Sequence, residues 1–171
     1  GAVTVSGAIG ANNAIGTLTI NNADSTHNGA ITLGGIGNTA AGAGVTNIGN
    51  SSTGTLTLAG TFFTGGDTTY EAAAGENIVI NADTTIKTGA TATHDITFQT
   101  GEIDIADNKN LTINSGNGDI TLVNIHGDGT NSTSTTTLDI DGATVTVKEI
   151  GLSTVKDEIG AITIDVTAVS Y

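Results

Sequence analysis

Apolar and polar residues alternate along this chain in short bursts, each closed by a polar turn. Residues 110–122 show the rule: Asn-Leu-Thr-Ile-Asn-Ser-Gly-Asn-Gly-Asp-Ile-Thr-Leu. Successive side chains of a strand point to opposite faces, so Leu111 and Ile113 face a core while Thr112 faces water, and Ile120, Thr121 and Leu122 do the same. Between them stand Asn, Ser, Gly and Asp, residues that tolerate left-handed backbone and bond their own main chain. The triplet recurs as Val3-Thr4-Val5, Leu18-Thr19-Ile20, Ile31-Thr32-Leu33, Leu56-Thr57-Leu58, Ile78-Val79-Ile80, Ile96-Thr97-Phe98, Ile103-Asp104-Ile105, Leu138-Asp139-Ile140, Val145-Thr146-Val147 and Ile162-Thr163-Ile164.

The spacing between triplets is irregular, so no fixed-length repeat exists. A parallel β-solenoid accepts that, because each strand need only stack on its equivalent one coil away while loops bulge outward. The strands are often bare triplets, and the same outward threonine recurs, as stacked ladders require. The pattern therefore predicts an all-β fold, a parallel β-helix (β-solenoid) of short strands forming a single domain over 1–171. An antiparallel β-sandwich is the alternative, since short alternating strands with frequent turns suit it too. Helical content should be small, with only 71–76 and 153–158 offering a turn.

Composition narrows the picture. Three Phe and two Tyr, with no Trp or Met, mean that Ile, Leu, Val and Ala must pack the core. The 25 Gly and the absence of Pro leave punctuation to residues that permit positive φ. There is no cysteine and hence no disulfide framework. No apolar run approaches the ~20 residues of a membrane helix, so no membrane insertion is expected. No signal peptide opens the sequence, and the chain is expected to be a processed product or an excised segment of a bacterial exported protein.

Seventeen acidic residues against four Lys and no Arg give a net charge of −13. That argues against nucleic acid and against anionic membrane surfaces, both of which are bound through Lys and Arg. The charge is also uneven. Asp24 is the sole charged side chain in a near-neutral part, 1–66, and the rest lie in an acidic part, 67–171.

The runs Gly-Thr-Leu-Thr-Ile-Asn-Asn at 16–22, Gly-Thr-Leu-Thr-Leu-Ala-Gly at 54–60 and the 110–122 stretch carry a family likeness. They resemble the repeat regions of very large bacterial surface proteins, the filamentous-haemagglutinin-like exoproteins and autotransporter passenger domains. The resemblance is one of style over most of the chain. It implies a right-handed β-helix, export to the cell surface, and a role in adhesion, matrix or filament building; it carries no active-site residue.

Two further features bear on function. Val3-Thr4-Val5 through Gly10, then Ile15 to Ile20, is restated by Val145-Thr146-Val147 through Gly151, then Ile159 to Ile164, as one long unit of a tandem array would show. Both ends also read as uncapped alternating strands. The expectation is a structural extracellular protein, not an enzyme, whose partner is itself. Its end strands, through Val3, Val5, Val166 and Val169, would join neighbours by β-augmentation in a filament or tandem array. The alternative is a monomeric binding module, a glycan adhesin or an ice binder, whose ligand face is a threonine ladder including Thr19, Thr57 and Thr146.

Other candidate chemistry is sparse. Glu102 and Asp104 share the outward face of one strand with Asp107 in the next turn, a carboxylate set of the kind glycosidases use; missing aromatic platforms and arginine argue against that use. Calcium, which takes oxygen ligands, suits Asp119 and the group Asp128, Asp139 and Asp141, and no other cofactor is expected. His27, His94 and His126 stand apart in polar contexts. The glycine stretches 34–37 and 42–44 lack the Lys-Ser/Thr ending of a phosphate loop. Asn50 and Asn131 fit the N-glycosylation acceptor pattern.

Overall fold

The computed structural model describes residues 1–21, 29–127, 135–151 and 159–167, and these contain strands and turns but no helix. The first turn of chain carries β1 (Val3–Val5) and β2 (Ile15–Ile20), and the second β3 (Ile31–Leu33) and β4 (Ala43–Gly49). The third holds β5 (Leu56–Leu58), β6 (Thr61–Phe63) and β7 (Thr68–Glu71), and the fourth β8 (Asn77–Ile80), β9 (Thr84–Lys87) and β10 (Ile96–Phe98). Then follow β11 (Glu102–Ile105), β12 (Asn110–Asn114), β13 (Ile120–Gly127), β14 (Thr137–Gly142), β15 (Val145–Ile150) and β16 (Ala161–Val166).

These strands stack into three walls. In the first, β1, β3, β5, β8, β11 and the end of β13 succeed one another in register. The second runs β6, β9, β12, β14, β16 and is extended by bridges from Ile9 to Ile36 and from Ile36 to Phe62. The third runs β2, β4, β7, β10, the start of β13 and β15. Because β13 pairs β10 through Ile120 and β11 through Ile125, one strand bends round a corner to serve two walls.

Every pairing among the described residues is parallel. The fold is a parallel β-solenoid of about six turns, and the antiparallel sandwich is overturned. After each triplet the chain moves on to the next wall instead of folding back as a hairpin, so a strand meets its partner one coil later.

The core follows from that register. On the first wall Val3, Ile31, Leu56, Ile78, Ile103, Ile125 and Ile150 form one inward column. The interior members, Ile31 to Ile125, are at most 1% exposed. Like side chains stack at like heights, which is why bare triplets suffice. The third wall departs from the expected aliphatic filling: Tyr70 stacks on Phe98 with ring centroids 4.9 Å apart, and Phe62 meets Tyr70 edge-on at 6.2 Å. Three aromatics thus fill the middle of a mainly aliphatic core.

Corner lengths vary while strand register is kept. Equivalent positions are 28 residues apart from Val3 to Ile31 but 22 apart from Leu56 to Ile78. Buried threonines secure several corners: the Thr64 and Thr68 hydroxyls lie 2.7 Å apart, and Thr88 Oγ1 donates to the Ser115 carbonyl at 2.9 Å. Gly49, at φ 82°, is required where its backbone meets the Glu71 carbonyl, because any Cβ there would collide with that oxygen.

The strand pairings β4 with β7, β5 with β8 and β6 with β9 cross from the near-neutral part into the acidic part. The charge boundary is therefore no structural break. The restated sequence has a different meaning from a whole-turn repeat: Val3 lies on the first wall, but Val145 lies on the third. Likewise Ile15–Ile20 belongs to the third wall, while Ile162 and Ile164 belong to the second. All three walls ask for the same apolar-Thr-apolar triplet, so one sequence can serve any of them.

Candidate functional site

The end coils concentrate the exposed core residues. β1 pairs only β3 and β2 only β4, so among the described residues their outer edges present unpaired main chain. Val3 and Ile15 are each 38% exposed there. At the other end, among the described residues, β16 pairs only β14, and β15 only β13. Ile162, Ile164 and Val166 stand open, and a hollow of ≈ 250 Å³ lies among Ile150, Gly151, Ile159 and Ile162.

Register explains that exposure. Ile164 continues the column of Ile86, Ile113 and Ile140, whose members are at most 1% exposed against its own 44%. The end residues have core identities and stand on the outermost described coils. Of the expected assembly residues, Val3 and Val166 are open and Val5 packs partly against the core; Val169 lies outside the described residues.

The outer rows form a second feature. On the third wall Thr19, Asn47, Thr69, Thr97, Thr121 and Thr146 align rung by rung, at the ~4.8 Å spacing of paired strands. The expected grouping of Thr57 with Thr19 and Thr146 is corrected. Thr57 stands on the first wall, between Thr32 and Val79. Strand spacing alone does not reveal which wall a triplet joins. Thr97 and Thr121 were visible as triplet centres, whereas Asn47 and Thr69 give no comparable signal.

At the entry to the third wall, the Asp95 amide donates to Asp67 Oδ1 at 3.1 Å and the Asp119 amide to Asp95 Oδ1 at 2.9 Å. His94 Nδ1 lies 3.6 Å from Asp67 Oδ1. Asp119 is thus part of a ladder stitching successive turns. The other expected calcium ligands lie elsewhere: Asp139 and Asp141 are on β14 in the second wall, where Asn114 Nδ2 donates to Asp141 Oδ2 at 2.8 Å. Asp128 lies outside the described residues. Among the described residues no group of three or more His, Cys, Asp or Glu side chains is arranged to hold a metal ion.

Asn50 uses its side-chain oxygen to accept the Ser52 amide at 2.9 Å in the turn after β4. Asn131 and His27 lie outside the described residues. Glu102 and Asp104 project from the first wall, and Asp107 falls in the turn beyond β11.

Sequence reasoning missed the company that the two carboxylates keep. The register β11 to β13 sets His126 directly beside Asp104. His126 Nε2 lies 3.4 Å from Glu102 Oε2, and Nδ1 lies 3.9 Å from Asp104 Oδ1. Asn77 donates to Asp104 Oδ2 and Asn124 to Glu102 Oε1, each at 3.3 Å. His126 is 22 residues beyond Asp104, one turn of this stretch; only knowledge of the local coil length would have paired them.

The chain matches no protein-family model, no curated protein and no solved structure.

Proposed function

We propose that this chain is a structural module of an extracellular bacterial surface, one that continues end to end with neighbouring solenoid coils by strand augmentation. The observation that carries the reading is the pair of end coils, where aliphatics of core register stand 37–46% exposed beside unpaired strand edges. Fully burying one such side chain contributes about 1.5–3 kcal/mol, so covering the half-open residues of one end is worth several kcal/mol in total. Main-chain hydrogen bonds between edges supply affinity, and matched columns supply register. Partners would be further copies or repeats, in a filament or tandem array serving adhesion or matrix.

The test is sedimentation and negative-stain electron microscopy of the purified chain beside Val3→Asp and Ile164→Asp. Concentration-dependent linear oligomers that both substitutions abolish are expected. A wild-type chain that stays monomeric at high concentration defeats the reading.

The threonine column of the third wall favours a second reading, a monomeric module that binds a regular surface such as a glycan array or ice. It predicts ligand binding with no dependence on the end residues.

A further inference from the structure

On the first wall His126 is buried beside two carboxylates, with 9% of its surface exposed. Its Nδ1 lies 2.9 Å from the Gly127 carbonyl oxygen. A carbonyl only accepts, so Nδ1 carries the proton, and in the neutral ring Nε2 is left as a lone pair. That nitrogen has no hydrogen-bond partner among the described residues and lies 3.4 Å from Glu102 Oε2. A buried lone pair and a carboxylate oxygen facing each other repel unless positive charge lies between them.

The separation bears on what that charge is. A charge-assisted N–H···O bond closes to about 2.7–2.9 Å. Two ligand atoms that are each about 2.0–2.2 Å from a tetrahedral ion stand roughly 3.4 Å apart. The 3.4 Å between His126 Nε2 and Glu102 Oε2 leaves room for an ion held by both atoms.

We propose that His126 Nε2 and the Glu102 carboxylate bind a divalent transition-metal cation of the zinc class. The Nδ1–H bond to a backbone carbonyl is the outer contact that fixes tautomer and ring orientation in metal-binding histidines. Asn124 Nδ2 holds Glu102 Oε1 at 3.3 Å, which leaves Oε2 turned to the ion. Asn124 Oδ1 is buried and has no hydrogen-bond partner among the described residues. Glu102 and Asn124 also line an open cleft of ≈ 250 Å³ together with Lys148, which gives an ion access to the Glu102 carboxylate. Imidazole selects against calcium and magnesium, which prefer all-oxygen sites. With so few protein ligands the affinity is below that of a four-residue structural site.

The experiment is calorimetric titration of the whole chain with zinc chloride in millimolar calcium, which occupies the diffuse acidic surface. One saturable site per chain is expected, weakened by His126→Ala and by Glu102→Gln at least ~10-fold, the lower end of what losing even an outer contact of a metal ligand costs. Glu102 has a side chain 41% exposed, so its variant keeps the core closed and separates lost ligation from lost folding; Asp95→Asn should bind as wild type. No saturable site, or full affinity in both ligand variants, overturns the proposal. So does a nitrogen NMR spectrum in which both His126 ring nitrogens are protonated and unmoved by zinc, because a proton alone would then bridge the pair.

Discussion

Tyr70 offers a direct test of how dry the solenoid interior is. The residue is fully buried between Phe62 and Phe98, and its hydroxyl has no hydrogen-bond partner. Tyr70→Phe keeps both ring contacts and removes one oxygen. An unsatisfied buried polar group costs about 1–3 kcal/mol, and the small void left behind returns part of that. The variant should therefore be more stable by about 1 kcal/mol at pH 7, a rise in Tm of roughly 2–4 °C for a chain of this size. Burial also pushes the Tyr70 phenol well above its ordinary value of 10.0. The unfolded phenol ionises above about pH 10 while the folded one stays neutral, so wild-type stability is fully present below that pH. It is lost above it at ~1.4 kcal/mol per pH unit. The phenylalanine variant lacks this loss, so its advantage should widen by about 1 kcal/mol between pH 10 and 11. Urea and thermal unfolding followed by circular dichroism at pH 7, 10 and 11 measure both effects. A variant less stable than wild type at pH 7 would refute the unsatisfied hydroxyl, and a constant difference across the alkaline range would refute the burial.

Two other substitutions probe corners and walls. Gly49→Ala forces a side chain into left-handed backbone against the Glu71 carbonyl and should cost about 1–3 kcal/mol, read as a lowered urea midpoint; an unchanged midpoint would mean that this corner relaxes freely. Replacing Thr69, Thr97 and Thr121 together by alanine should leave secondary structure and end-to-end association unchanged, as measured by circular dichroism and sedimentation, because those side chains only line the outside of the third wall. Loss of oligomers in that variant would move the contact surface from the ends to the wall.

The architecture was legible because the triplet is a strong local rule. Leu111-Thr112-Ile113 and Ile120-Thr121-Leu122 announced strand, facing and turn together, and the structure puts each where alternation requires. What the residues could not supply was the phase of the winding. Turns of 22 to 28 residues make it impossible to count from one triplet to its neighbour above. Thr57 was accordingly grouped with threonines of another wall, and His126 was separated from the carboxylates it touches. The aromatic centre was hidden for a related reason: Tyr70 sits in Thr-Thr-Tyr-Glu, outside the triplet set, and its inward facing follows only from pairing with Ile48 and Phe98.

The winding that conceals those neighbours also fixes what such a chain is good for. A turn consumes 22 to 28 residues and advances the stack by only ~4.8 Å, roughly 0.2 Å per residue, against 1.5 Å per residue for an α-helix. As a means of spanning distance this is poor. The residues go into perimeter, and each added turn widens nothing but adds one more rung to three walls. Lengthening such a protein multiplies identical display positions at constant pitch, so any weak contact made by one rung is repeated in step along the whole stack.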